Sequence, residues 1–216
     1  MKSYKYILFD LDGTITNSAP GVTNSFAYAL EKFDIVVNDR TELNSALGPP
    51  LRDTFEGRYN LTPEQAGQAI DHYGKYYETK GYTEKNMYHG IVELLEKLKA
   101  AGKILIVATA KSQNFAEQDL EHLDIAKYFT FVSGVTFDGL RNNKNDVIEH
   151  ALKSCEITDT SNAVMIGDRK HDILGAKKFG LDSIGVLYGY GSRDELESAN
   201  ADFIAETVAD VEGLLG

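Results

Sequence analysis

A single cysteine, Cys155, stands among 216 residues, so no internal disulfide can form. Its place in the helical pattern Ala151-Leu152-Lys153-Ser154-Cys155 reads as a small buried side chain rather than a nucleophile. Positive charge is also scarce. Lys and Arg number 22 against 33 Asp and Glu, which gives a net charge of −11 and a pI near 4.9. Such a chain repels phosphate backbones, which argues against nucleic acid as a partner. Any phosphorylated ligand would need local cationic groups or a bound metal. No apolar run approaches the roughly 20 residues of a membrane span. There are no internal repeats and no low-complexity tract, and Met1-Lys2-Ser3-Tyr4-Lys5 leads into a strand without a signal-peptide pattern. The expectation is a soluble, cytoplasmic protein, monomer or homodimer, with no nucleic-acid or membrane partner. What is present is ordinary for a globular protein: 43% hydrophobic and 25% charged residues, enough for one sizeable core or a core with an insertion.

Apolar runs alternate with helical patterns over most of the chain. Residues 4–9, 104–108, 129–133, 163–166 and 183–187 read as strands, with a short one at 203–204. Helices are predicted at 91–101, 113–123, 144–155, 172–179 and 208–215. Strands that are apolar throughout, each followed by a helix, predict a parallel sheet covered on both faces. The stretch from 16 to 83 breaks this rhythm with helices alone, at 18–34, 39–47, 52–59 and 62–80. Thr62-Pro63-Glu64-Gln65 is a strong start signal for the last of these. A βαβ crossover is normally much shorter, so this stretch is read as an inserted helical domain, leaving 1–15 and 84–216 as the α/β core.

Polar groups gather where the strands end. Phe9-Asp10-Leu11-Asp12-Gly13-Thr14 delivers two aspartates, one residue apart, to the end of the first strand, with a glycine to turn the chain. Thr109-Ala110-Lys111 follows Ala108. Lys144 opens a helix, and Gly167-Asp168 follows Ile166 with Asp172 one helical turn on. Each has a plain structural reading: an acidic turn, a helix N-cap, a solvated lysine, a charge complementing a helix dipole. Together and in this order, at strand ends that a parallel sheet brings into one crevice, they fit a site for phosphoryl transfer. A hard cation such as Mg²⁺ suits the carboxylates. Asp10 is placed to attack phosphorus, Asp12 to act as general acid and base, and Thr109 and Lys144 to hold phosphate oxygens.

These motifs resemble those of the haloacid dehalogenase superfamily of phosphatases, over the whole chain. Asp10-Leu11-Asp12-Gly13-Thr14 matches its first motif, Thr109 its second, Lys144 its third, and Gly167-Asp168 with Asp172 its fourth. The resemblance implies an α/β fold: a doubly wound, Rossmann-like parallel sheet with an inserted all-helical cap. It implies an Mg²⁺-dependent phosphatase acting through an aspartyl-phosphate on Asp10. Mg²⁺ would be held by Asp10, the Asp12 backbone carbonyl and Asp168, with Asp172 as a supporting or direct ligand. Ala110 stands where many relatives have Asn, and its backbone N–H would face the phosphate. The lysine motif, Arg141-Asn142-Asn143-Lys144-Asn145, lacks the usual proline, and Lys111 is a second candidate for that role. The helical insertion resembles the cap of phosphoglycolate phosphatases, and other details resemble 5′-nucleotidases. Gly48-Pro49-Pro50-Leu51-Arg52 resembles the cap's specificity loop, where Arg52 would meet a second anionic group. The clustered tyrosines Tyr73, Tyr76, Tyr77, Tyr82 and Tyr88 read as cap packing ahead of base stacking. A sugar phosphomutase and a non-enzymatic phosphoaccepting domain are the alternatives carried forward.

Overall fold

The computed structural model describes residues 3–47, 50–136 and 140–216. The elements run in chain order as β1 (Tyr6–Phe9), β2 (Thr16–Asn17), α1 (Ala19–Glu31), a 3-10 segment (Arg40–Ala46), α2 (Leu51–Gly57), α3 (Pro63–Thr79) and β3 (Asn86–Met87). There follow α4 (Ile91–Ala100), β4 (Ile104–Ser112), α5 (Gln113–His122), β5 (Phe131–Val135), α6 (Lys144–Ser154), β6 (Ala163–Gly167), α7 (Lys170–Lys178), β7 (Asp182–Val186), α8 (Arg193–Ser198), β8 (Phe203–Ala205) and α9 (Val208–Leu215). The chain forms two compact units, Met1–Thr16 with Met87–Gly216, and Asn17–Asn86.

The first unit is built on a six-stranded sheet ordered β5-β4-β1-β6-β7-β8, parallel throughout. Successive side chains of a strand point to opposite faces, and both faces here are covered, so the central strands β1 and β6 carry no charged residue along their length. Ile7, Phe9, Leu105, Val107, Val164 and Ile166 pack on one face beneath α4, α5 and α9. Leu8, Ile106, Ala108 and Met165 pack on the other beneath α6 and α7. The parallel sheet covered on both faces, inferred from the alternating runs, is the observed architecture, and it is the doubly wound α/β fold that the family resemblance implies.

Among the departures from the sequence reading, β4 and α8 stand out. β4 does not stop at Ala108 but runs to Ser112, with a shift of register against β5 between those residues. Thr109 and Lys111 are therefore strand residues. The sequence reading names no element over α8, because six residues with three acids and a single buried leucine carry too little periodicity to signal a helix. Ser192 nonetheless caps it, accepting from the Glu195 N–H.

The second unit is helical apart from its strand ends. The Thr62 hydroxyl accepts from the Gln65 N–H, and the Gln65 side chain accepts from the Thr62 N–H, closing the capping box at the start of α3. The unit's own core centres on Phe26, with Phe55 and Tyr73 rings each 5.1 Å away, and with Leu30, Leu43, Ala66 and Ala69 around them. Tyr73 packs against this core and stacks on buried Tyr77, whereas Tyr28 and Tyr76 lie against each other half-buried at the unit's surface. The helix expected at 39–47 is instead the 3-10 segment Arg40–Ala46, and Asp39 caps it by accepting from the Thr41 N–H. No described helix is long and apolar enough to cross a membrane.

Candidate active site

The site lies at the carboxyl ends of β1, β4 and β6, where the sheet's central strands stop. Asp10 follows β1 directly, and its N–H donates to the Ile166 carbonyl at 2.9 Å, so the β1–β6 ladder extends one residue into the site. The chain then folds back on itself: the N–H groups of Ile15 and Thr16 both donate to the Leu11 carbonyl at 2.9 Å. Gly13 makes this possible. Its φ is +88°, and a Cβ there would fall on the Asp168 carboxylate. The residue serves both the turn and the close approach of two loops.

Asp168 follows β6, is fully buried, and its Oδ2 accepts from the Tyr190 N–H at 2.7 Å. Its Oδ1 is buried with no hydrogen-bond partner. Asp172 sits in the first turn of α7. Its Oδ2 accepts from the Arg169 N–H at 3.1 Å, so the helix-start role foreseen for it is real. Its Oδ1 points the other way, to the Lys144 Nζ at 2.7 Å. Gly167 leaves room for this, since a Cβ there would overlap the Asp172 carboxylate.

Lys144 is the first residue of α6, whose Asn143 cap accepts from the Asn145 and Asp146 N–H groups. It is not a solvated lysine. Its ammonium is buried, 2.8 Å from Asp10 Oδ1, and donates to the Ala108 carbonyl at 2.9 Å. Burial opposes its charge, but Asp10 and Asp172 more than offset that and hold its pKa above the ordinary lysine value. The acids feel the converse. Burial first, then the neighbouring charges of Asp10 and Asp172, push Asp168 well above the usual carboxylate range. Burial likewise pushes Asp172 up to about 6, against the pull of Lys144.

Asp10, Asp168 and Asp172 each offer a carboxylate oxygen within 4.8 Å of the others, and all three are buried. Three converging hard oxygen donors, one of them unpartnered, fit a divalent cation such as Mg²⁺. The Asp12 carboxylate is turned elsewhere. It accepts from Lys111 Nζ at 2.9 and 3.1 Å and from the Thr16 hydroxyl at 3.2 Å. Of the two candidate lysines, Lys144 meets Asp10 and Asp172, and Lys111 meets Asp12 and Asp119. Thr109 is buried in β4 and its Oγ1 accepts from the Lys111 N–H at 3.2 Å; Ala110 beside it is exposed.

The candidate specificity residues belong to the helical unit. Pro49 lies outside the described residues. Pro50 is the exposed N-cap of α2, and Arg52 lies in its first turn, exposed. The Arg52 guanidinium donates to Glu56 Oε1 at 3.0 Å and to the Pro63 carbonyl at 3.3 Å.

Two participants went unread in the sequence. The Tyr190 N–H is a backbone group and leaves no side-chain signature. Asp119, a buried acid on α5 that meets Lys111 Nζ at 2.7 Å, did leave one: it shares the helix face of Ala116 and Leu120, where an acid is out of place.

The model of the haloacid dehalogenase-like hydrolase family matches residues 7–186. A 5′-nucleotidase from Pseudomonas aeruginosa is 40% identical over 195 residues, covering 90% of this chain and 88% of the relative. The tyrosine-protein kinase PtkA of Mycobacterium tuberculosis is 35% identical over 217 residues, 100% of this chain and 74% of that protein. Among solved structures, a predicted phosphatase from Clostridium acetobutylicum superposes with a TM-score of 0.92 at 46% identity over 99% of both chains. A family match that begins inside β1 and ends with β7, over the ends of β1, β4 and β6, shows that this chain belongs to the haloacid dehalogenase-like hydrolases.

Proposed function

We propose that this hydrolase is an Mg²⁺-dependent phosphatase that cleaves a small-molecule phosphate monoester by way of an aspartyl-phosphate on Asp10. The observation that carries the reading is the gathering of Asp10, Asp168, Asp172 and Lys144 in one buried cluster at the sheet's carboxyl edge. Three acids and one lysine leave excess negative charge. That is a poor structural solution by itself and a good one for a cation and a phosphoryl group.

In this account an Asp10 oxygen attacks phosphorus as the bond from phosphorus to the substrate oxygen breaks. Asp12 gives its proton to the departing alcohol. Asp12 then takes a proton from the water that attacks the same phosphorus, which frees Asp10 and releases inorganic phosphate. Lys144 and Thr109 hold the non-bridging oxygens, with the Ala110 N–H as a further donor. Asp10, Asp168 and Asp172, with the Asp12 carbonyl, would hold Mg²⁺, which would supply the positive charge that lets two anions meet.

Nucleoside 5′-monophosphates head the list of substrates, given the name of the Pseudomonas aeruginosa relative, with phosphoglycolate and sugar phosphates behind. The test is phosphate release across such a panel with and without Mg²⁺. Release that needs Mg²⁺ and favours one member supports the reading and names the substrate. Isomerised substrate with no free phosphate would instead mark a mutase, and phosphorylated protein that neither hydrolyses nor transfers would mark a phosphoaccepting domain.

A further inference from the structure

Lys111 is held from two sides. Its side chain is 8% exposed, and its ammonium lies between the Asp12 carboxylate, at 2.9 Å, and Asp119 Oδ2, at 2.7 Å. Asp119 is 1% exposed and comes from the second turn of α5, on the face that α5 turns to the sheet beside Ala116 and Leu120. It takes no part in the acid cluster of Asp10, Asp168 and Asp172.

An ionised carboxylate on an apolar helix face is costly unless a cation meets it there. Lysine is a point charge on a flexible stem, so a lysine anchored by Asp12 alone would swing with Asp12. Asp119 supplies a fixed second anchor, set by the helix and its packing. The Lys111 ammonium is thereby fixed, and with the Thr16 hydroxyl it fixes both oxygens of Asp12.

We propose that Asp119 is a positioning residue for proton transfer: acting through Lys111, it aims the Asp12 carboxyl at the oxygen of the leaving alcohol. The inference rests on the role given to Asp12 under Proposed function. The proton involved is the one that Asp12 passes to the departing oxygen as the bond from phosphorus to that oxygen breaks, so its value depends on how badly the leaving group needs it. An alkyl alcohol needs it, and a nitrophenolate leaves without it.

The experiment compares kcat/KM for an alkyl phosphate with that for para-nitrophenyl phosphate, in the wild-type protein and in Asp119→Asn, with Mg²⁺ present. This parameter counts steps only up to departure of the alcohol. The expected result is a fall of about 10-fold in the alkyl-to-aryl ratio, a modest misplacement of a general acid. A merely structural role would lower the active fraction for both substrates alike and leave the ratio unmoved, and an unmoved ratio overturns the proposal. Should Asp119→Asn fail to fold, Lys111→Met is put through the same comparison, and again a lowered ratio supports the proposal and an unchanged one overturns it. If the wild-type protein releases phosphate from neither ester, nor from any member of the panel above, the phosphatase reading itself fails and takes this inference with it. Turnover by wild type with an unchanged ratio in the variant overturns this inference alone.

Discussion

Lys144 stands between two buried acids, and its removal has a definite consequence. Lys144→Met leaves Asp10 and Asp172 facing each other with no cation, and breaking a buried pair from one side costs about 3–5 kcal/mol. Chemical denaturation of the metal-free protein should show that loss, and Mg²⁺ should restore part of it. Asp10→Asn behaves in the opposite way. It takes a charge out of a crowded acid cluster, so the melting temperature of the metal-free variant should hold or rise while phosphate release disappears. Gly13→Ala combines two faults, a left-handed backbone worth about 1–3 kcal/mol for a residue with a Cβ and a methyl group driven into the Asp168 carboxylate. Thermal melting and Mg²⁺ titration should both record it, the second as weakened metal binding.

Helix starts and strand ends carry the site, and they were unequally legible. The aspartates after β1 and β6 were plain, because an apolar run that stops at Asp-x-Asp-Gly or Gly-Asp leaves little choice about where the acids stand. Lys144 was legible only as the third member of an ordered set. In isolation it is one lysine among many, and its burial depends on α6 starting where Asn143 caps it. The end of β4 was misplaced because Thr109 and Lys111 are polar, and polarity normally marks the end of a buried strand. Here they continue the strand because their side chains have partners: the Thr109 hydroxyl accepts from the Lys111 N–H, and Lys111 meets Asp12 and Asp119. Asp119 stayed hidden because its partner is nearby in sequence yet reaches it only through the strand-to-helix turn. The capping box of α3, by contrast, is a local feature and was legible as such. Thr62→Ala should cost about 1 kcal/mol, read as a lower unfolding midpoint.

Across the whole molecule, charge is distributed against its own stability. A net −11 surrounds a site that itself buries three acids. For a carboxyl whose pKa rises on folding, the folded state binds protons more tightly than the unfolded chain. Stability is then highest below the unfolded value and is lost as pH rises. The relevant window opens near 3.9, the ordinary aspartate value, and extends through about 6 for Asp172, with Asp168 also raised. Without metal, Asp168→Asn should therefore melt higher than the wild-type protein near neutral pH, and the difference should shrink as pH falls through that window. Mg²⁺ must displace those same protons, so the rise in melting temperature that it gives the wild-type protein should be larger near neutral pH than in mild acid. Equal shifts at both would argue that the cation binds elsewhere.

The account as a whole turns on a covalent bond between phosphorus and Asp10. The direct measurement is to mix enzyme, Mg²⁺ and the best substrate of the panel, quench within a turnover, and locate the phosphoryl group by peptide mass spectrometry after borohydride trapping. The result predicted is modification at Asp10 in the wild-type protein, more of it in Asp12→Asn, where the water is no longer activated, and none in Asp10→Asn. Phosphate release that persists undiminished in Asp10→Asn, or a phosphoryl group found on another residue, would contradict it.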